Sequence, residues 1–330
     1  MQDNHTSKPR VSVCLPILNA RRFLTERLDS LFRQTLEDWE CVVCDGYSSD
    51  GSWGYLQERA GCDPRFRMFQ RQPRGIYDAI NFCIRKATGG FIYVATADDT
   101  MRPDCLAVLR ELLDKNVNAG LAQCGLEVID ERGAPYVDDV PWRQSRFLRF
   151  LGALGARNHL RRAPMDGILH CGCYTVYRSM TQLLIRRSTI ENTGGFRDDW
   201  GSEGDFEWGV RVGSRCDVVF TPEPLASWRR HRRQATQDTF SVRNRDRQLS
   251  MLNAGLRAAT SAGAFSMTLA EARLPYEVER LFLAMNAKRM PVFARAVGTS
   301  YSPGRALRIA WRIRKGQTTF DEWVCAYLRS

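Results

Sequence analysis

Long apolar runs are absent from this 330-residue sequence. None approaches the ~18 consecutive apolar residues of a membrane-crossing helix, so no span is expected. The opening stretch, MQDNHTSKPR, has no apolar centre of the kind that marks a secretory leader, and the expectation is a cytoplasmic protein. Internal repeats and low-complexity tracts are also missing. Histidine is scarce, with four copies, and cysteine falls short of a pattern. The eleven cysteines are odd in number and scattered. Cys41 and Cys44 form a C-x-x-C inside WECVVCD, but that segment reads as a strand, where residues three apart point to opposite faces. No second pair lies at zinc-ribbon spacing, so buried, reduced thiols are expected. Acidic residues are in deficit, 37 against 48 Lys and Arg, for a net charge of +11. That balance favours anionic partners such as nucleotides, nucleic acid or an anionic membrane face. With 44% hydrophobic residues the chain can build a sizeable core.

The first 120 residues alternate between short apolar strands and helical stretches. Val11 to Leu18 reads as a strand. Arg22 to Gln34 carries Phe23, Leu24, Leu28, Leu31 and Phe32 at helical spacing. Trp39 to Asp45 is a second strand, and Ser48-Ser49-Asp50-Gly51 a turn opening a helix to about Arg59. Arg67 to Gln70 is a third strand, Tyr77 to Lys86 a helix stopped by Gly89-Gly90, and Phe91 to Asp98 a fourth strand. Pro103 to Asn116 is helical. This order predicts an α/β fold with a mostly parallel sheet and helices on both faces. Beyond it, residues 121 to 129, Leu183 to Ile185 and Asp217 to Phe220 read as strands. Arg187 to Thr193 and Gly204 to Gly213 read as helices, and residues 135 to 165 as a loop with helical pieces. After about residue 236 only helical patterns remain.

Two turns could carry chemistry. Thr96-Ala97-Asp98-Asp99 places adjacent carboxylates at the carboxyl edge of the sheet, where α/β folds bind ligands. Carboxylate oxygens suit Mg²⁺ or Mn²⁺ carrying a diphosphate; equally, Asp99 could cap the helix that follows. Asp45-Gly46-Tyr47-Ser48-Ser49-Asp50-Gly51-Ser52 could receive a base or ribose, or be an Asp/Ser/Gly turn. Four arginines surround His231 in Trp228-Arg229-Arg230-His231-Arg232-Arg233. That cluster, Arg230 and His231 in particular, could meet a diphosphate, or be a solvated turn. His170, beside Cys171 and Cys173, reads as a packed histidine.

Taken in order, Pro16-Ile17-Leu18-Asn19, the Asp45 turn, Gly75-Ile76-Tyr77-Asp78-Ala79-Ile80-Asn81, the Ala-Asp-Asp turn, Gly194-Gly195-Phe196 and Glu203-Gly204-Asp205 form a series. Over residues 10 to 235 it resembles family-2 glycosyltransferases of the GT-A fold, most of all bacterial exopolysaccharide and O-antigen enzymes carrying a GIYDAxN segment. The resemblance implies a GT-A-like, Rossmann-like catalytic domain over 1–235. Residues 236–330 would be a helical extension for acceptor or membrane-surface contacts. It implies inverting transfer from a nucleotide-sugar, preferably a UDP-sugar, to a glycan or lipid-linked acceptor. Pro16, Asn19, Asp45, Gly75, Asp78, Asn81 and Asp98 would face the nucleotide. Asp98 and Asp99 would hold Mg²⁺ or Mn²⁺, and Asp205 would be the general base. The chain departs from the family at Leu18, where an aromatic residue or Thr is usual, and at Pro73, Thr96 and Gly204, where acidic or amide residues are common. A non-catalytic glycan-binding or scaffold protein is the alternative those departures leave. A nucleotidyltransferase is another, but a Gly-rich phosphate loop is missing where PILNARR follows the first strand.

Ala284 to Phe320 holds eight Lys or Arg and no acid. On a helix, Arg305, Arg308, Arg312 and Lys315 share one face, while Leu307, Ala310, Trp311 and Ile313 fall mostly together elsewhere. This is the profile of a helix on an anionic bilayer, or of a docked helix with a solvated basic face. Nucleic-acid binding is not expected, because the arginines are spread over several segments and no nucleic-acid motif accompanies them.

Overall fold

The computed structural model describes residues 10–136, 145–173, 176–231, 242–260, 269–286, 296, 300 and 302–329. Arg232 to Gln234, the 235/236 boundary, His5 and most of the basic stretch between 287 and 301 lie outside them. The chain opens with β1 (Val11–Ile17), α1 (Arg21–Phe32), β2 (Trp39–Asp45), α2 (Ser52–Ala60), β3 (Phe66–Gln70), α3 (Ile76–Lys86) and β4 (Phe91–Val94). Then come β5 (Thr100–Met101), α4 (Cys105–Lys115), β6 (Ala119–Ile129), α5 (Arg146–Leu151), β7 (His159–Arg161) and α6 (Met165–Cys173). β8 (Leu183–Arg186), α7 (Arg187–Thr193), α8 (Gly204–Gly213) and β9 (Asp217–Arg229) complete the α/β part. Helices α9 (Val242–Thr260), α10 (Leu269–Asn286), α11 (Pro303–Arg314) and α12 (Phe320–Arg329) follow.

The nine strands form one sheet ordered β3-β2-β1-β4-β8-β6-β9-β5, with β7 on β9. β3, β2, β1 and β4 run parallel, because a helix returns the chain between each strand and the next. Every residue of β1 and β2 is buried, as expected of strands covered on both faces. Leu24, Leu28 and Leu31 of α1 close one side of this core. The other half of the sheet is mixed rather than parallel. β8 follows a 3₁₀ turn, not a crossover helix, and lies antiparallel to both β4 and β6. β5 and β7 also pair antiparallel, both with β9, which runs on to Arg229. The fourth strand is shorter than its apolar run: β4 ends at Val94, and Thr96 to Asp99 turn away from the sheet. α3 ends with Ala87 in extended conformation, before Gly89-Gly90.

The C-terminal helices dock on the α/β part. Leu249, Leu252 and Leu256 of α9 and Tyr276 of α10 share a buried cluster with Phe206 and Val210 of α8 and Cys171 of α6. The Tyr276 hydroxyl donates to the His170 carbonyl. His170 itself is a packed histidine: its Nδ1 donates to the Asp166 carbonyl at 2.7 Å, and burial lowers its pKa to about 4. A second cluster joins α10 to α11 through Leu274, Val278, Leu281, Ala306 and Ala310. Trp311 departs from the sequence expectation. It lies 51% exposed, outside the apolar face on which Ala306 and Ala310 are buried. At 100° per residue it sits beside Arg308 and Lys315, at the edge of the basic face. The nine cysteines whose side chains are described are all free, and seven of them are buried.

Candidate active site

The carboxyl ends of β1, β2 and β4 open into a cleft of about 550 Å³. Pro16, Leu18 and Asn19 line it from the end of β1, and Gly75 and Asp78 from the start of α3. Asp98 and Asp99 reach it from the turn after β4, Arg178 and Ser179 from the approach to β8, Trp228 and His231 from the end of β9, and Asp205 from the start of α8. Asp205 thus lines the same cleft as the adjacent Asp98 and Asp99, more than a hundred positions earlier in the chain. The cleft lies at the strand ends where open α/β sheets bind ligands, and its volume suits a small molecule or cofactor.

At the β1–β2 edge the polar groups mostly build backbone. Asn19 takes a positive φ of 51°, a conformation asparagine tolerates. Its Oδ1 accepts from Ser49 N at 2.9 Å, while its own N–H donates to Ser48 Oγ. Asp45 is fully buried, accepting from Ser48 Oγ at 2.5 Å and Gln70 Nε2 at 3.0 Å, and does not line the cleft. Leu18, 55% exposed, presents an apolar surface instead. Gly75 precedes α3 with φ of 109°, where a side chain would be strained. Asp78 pairs with Arg71 at 3.1 Å. Asn81 does not reach the cleft wall. It accepts from Phe196 N at 3.0 Å and donates to Phe196 O at 2.6 Å, tying α3 to the Gly194-Gly195-Phe196 segment.

The two carboxylates after β4 face different surroundings. Asp99 is buried and receives Arg229 N at 2.8 Å, Ser179 Oγ at 3.0 Å and the Thr96 hydroxyl. Burial, then the neighbouring Asp98 charge, pushes its pKa up to about 7. Thr96 therefore supplies a donor where a carboxylate would add a third negative charge. Asp98 keeps 29% of its side chain exposed and accepts from His231 Nε2 at 2.9 Å. Two buried arginines brace the turn from behind. Arg27 Nε donates to the Thr96 carbonyl at 2.9 Å, and Arg229 Nε to the Asp98 carbonyl at 2.7 Å. Arg229 also bonds Glu26 at 2.5 Å and the Asp130 carbonyl at 3.1 Å. The sequence singles out neither as a brace, and Arg229 reads there as one of four arginines around His231. The trace of Arg27 was its phase: with Leu24, Leu28 and Leu31 it falls on the buried stripe of α1. Arg230 does not line the cleft; its guanidinium lies 5.2 Å from the Trp228 ring and 5.6 Å from Tyr136. Arg178, which does line it, stacks at 4.7 Å on the same Trp228.

Asp98 and His231 are a carboxylate and an imidazole within hydrogen-bond distance at the cleft wall. Among the described residues no group of three or more His, Cys, Asp or Glu converges as a self-sufficient metal site. Two protein donors fit a divalent ion whose remaining positions are filled by phosphate oxygens and water.

Asp205 stands in the first turn of α8. The Tyr77 hydroxyl donates to its carboxylate, and burial raises its pKa to about 6. Tyr77 is held in an aromatic stack, its ring 5.5 Å from Phe196, which lies 4.7 Å from Trp208. Gly204 explains one departure in the sequence. A Cβ there would meet the Arg197 carbonyl at 2.6 Å and the Tyr77 ring at 2.9 Å, so glycine lets Tyr77 close on Asp205. The neighbouring acids have other partners: Glu203 pairs with Arg247 at 3.2 Å, and buried Glu207 with Arg211 at 2.8 Å.

Comparison with known proteins places this geometry. The chain is 30% identical over 229 residues to the uncharacterized protein MT1568 of Mycobacterium tuberculosis, covering 68% of each chain. It is 31% identical over 140 residues to the putative glycosyltransferase EpsE of Bacillus subtilis, covering 41% of this chain and half of that one. The fold is similar to that of TarS residues 1–349 of S. aureus, solved with UDP-GlcNAc. The TM-score is 0.64 at 14% identity, over 97% of this chain and 91% of that one. The sequence pattern described as Glycosyl transferase family 2 matches residues 12–178, half of the chain, and the protein belongs to that family.

Proposed function

We propose that this protein is an inverting glycosyltransferase. It moves a sugar from a nucleoside-diphosphate donor, UDP-sugars first among them, to a hydroxyl of a glycan or lipid-linked acceptor in polysaccharide synthesis. The observation that carries this reading is the shared cleft: Asp205 lines the same 550 Å³ cavity as Asp98 and His231. TarS, with its UDP-GlcNAc, suggests where a donor screen should begin.

The nucleotide lies along the β1–β2 edge, over Pro16, Leu18, Asn19 and Gly75, with Asp78 and Arg71 at its side. Asp45 shapes this edge through Ser48 and Gln70. The diphosphate lies toward Asp98, His231 and Arg178. Mg²⁺ or Mn²⁺ would be held by Asp98 and His231 rather than by Asp98 and Asp99, because the Asp99 carboxylate already takes Arg229 N, Ser179 Oγ and the Thr96 hydroxyl; it would supply charge neutralisation at the leaving diphosphate. Arg178 adds a fixed positive charge there, and Arg27 and Arg229 keep the Asp98-Asp99 turn from moving as charge develops. Asp205 takes the acceptor proton. The acceptor oxygen bonds to the anomeric carbon as the carbon–phosphate oxygen bond breaks on the opposite face, and the electron pair leaves with the diphosphate. A carboxylate with a pKa near 6 is ionised at neutral pH, yet more basic than an exposed aspartate, as a general base requires. Tyr77 aims it.

The test is a donor panel of UDP- and GDP-sugars with Mn²⁺ or Mg²⁺, read by release of nucleoside diphosphate. Turnover by the wild type, and its loss in Asp205→Asn, is the expected result. Pyrophosphate release would mark nucleotidyl transfer instead. Absence of turnover and of UDP binding across the panel would favour a non-catalytic glycan-binding role.

A further inference from the structure

Helix α11 presents a surface that the catalytic reading does not use. Its inward side is small and apolar: Ala306 and Ala310 are fully buried against α10. Its outward side carries Arg305, Arg308, Arg312 and Arg314, followed by Lys315, all exposed, and no acid lies between Pro303 and Lys315. At the edge of this basic face, beside Lys315, stands Trp311, the exposed tryptophan among the described residues. Lys315 Nζ lies 5.5 Å from its ring centroid. Trp311, Leu307 and Met285 of α10 wall a second cavity, about 530 Å³, with Arg308 and Arg312 at its edges. Glu277 and Glu279 of α10 are buried, and Glu322 accepts from Thr319 N at 2.9 Å at the start of α12.

A lone exposed tryptophan means little, and so does a basic face. Their combination is informative: an indole beside an apolar slot, ringed by cations, with no anion on the helix. Indole prefers the boundary between water and hydrocarbon, and clustered Lys and Arg are drawn to anionic headgroups. The geometry points to α11 as a docking face for an anionic lipid bilayer. Trp311 enters the headgroup boundary, and Arg305, Arg308, Arg312 and Lys315 meet the lipid phosphates. α11 is already docked through Ala306 and Ala310, so binding does not require it to fold or leave the protein. This inference does not depend on the catalytic reading, although a surface at the membrane would suit an acceptor that is itself a lipid.

Co-sedimentation of the full chain with vesicles tests it, using phosphatidylcholine alone and phosphatidylcholine with 30% phosphatidylglycerol. The wild type should bind the anionic vesicles and not the neutral ones, with affinity falling as salt rises. Arg308→Glu/Arg312→Glu should weaken binding by on the order of tenfold or more. A charge-matched control just after α1 and on α3, Arg33→Glu/Arg85→Glu, should change it little. Trp311→Ser should weaken binding severalfold, and the loss should persist at salt concentrations that mute the charges. Near-ultraviolet circular dichroism confirms that each variant is folded. Equal binding to both vesicle types, or none, overturns the proposal. So does an equal loss in the charge-matched control, which would make net charge the cause. If double-stranded DNA competes with anionic vesicles and Trp311→Ser binds them like the wild type, α11 is a general polyanion site and the bilayer assignment fails.

Discussion

The two ends of the cleft hold their carboxylates in opposite ways. At the β4 end, Asp98 and Asp99 sit in a net of donors: two buried arginines, the Thr96 and Ser179 hydroxyls, a backbone N–H and His231. At the α8 end, Asp205 has the Tyr77 hydroxyl, its own helix start and an aromatic wall. The first arrangement fixes the turn in position through many donors; the second leaves a carboxylate with few. Burial raises the carboxyl pKa at both ends, Asp99 to about 7 and Asp205 to about 6. The two ends therefore differ in how firmly the carboxylate is held rather than in basicity.

The sharpest way to break this contrast is at the sparse end. Asp205→Asn keeps the shape and removes the proton acceptor. It should lower kcat by about 10²–10⁴-fold while leaving the UDP dissociation constant within about twofold, measured by calorimetry. Stability should move the other way. A carboxyl whose pKa is higher folded than unfolded opposes folding once ionised, so the neutral amide should leave the melting temperature at pH 7 unchanged or raised. Normal turnover by this variant would remove Asp205 from the chemistry.

The braced end should respond through the fold. Arg229→Met strands the Asp98 and Asp130 carbonyls, while half-exposed Glu26 returns to water. Unfolding in urea should show a loss of about 2–4 kcal/mol. If the cost is no larger than that of an exposed arginine, the bracing argument fails. Asp98→Asn is milder. It should abolish the gain in UDP affinity that Mn²⁺ confers on the wild type, while binding of uridine stays as it was. An unchanged Mn²⁺ effect would move the cation elsewhere.

This contrast also separates what was legible in the sequence from what was not. The parallel half is legible element by element, because each strand is an apolar run and each helix shows its stripe. Trp39 to Asp45 coincides with β2, and outside this half Gly204 to Gly213 coincides with α8, while β4 stops at Val94, short of the expected Asp98. The mixed half was harder: β5 and β7 have two and three residues, too few for any period. Asp98, Asp99 and Asp205 were visible as motifs, and the cleft does bring them together. Their supports were not. A mid-helix arginine is ordinarily exposed, so only the phase that Arg27 shares with Leu24, Leu28 and Leu31 marks it as buried. Arg229 was hidden among four arginines, and only the pairing of β9 with β6 shows which of them turns inward. For Asn81 and Asp45 the family resemblance implies nucleotide contacts; neither lines the cleft, and their side chains bond Phe196, and Ser48 and Gln70, partners that only the fold brings near.

Tyr77 offers the finest test, because its two roles predict different pH profiles. Its hydroxyl donates to the charged form of Asp205, which lowers the carboxyl's pKa against the larger effect of burial. Tyr77→Phe removes that donor and keeps the ring in its stack on Phe196. The Asp205 pKa should rise, so the acid limb of kcat, expected near 6 in the wild type, should move to higher pH. Well above both limbs the variant should approach wild-type kcat; below them its rate should fall by ten for each unit of displacement, since only the ionised carboxylate accepts a proton. Loss of one buried hydrogen bond should cost about 1 kcal/mol of stability, less than Arg229→Met. A uniform drop in kcat with the limb in place would mean that Tyr77 only aims the carboxylate. A displaced limb with the plateau retained would mean that the tyrosine tunes it, and that basicity at the sparse end is set by one hydroxyl against an otherwise apolar wall.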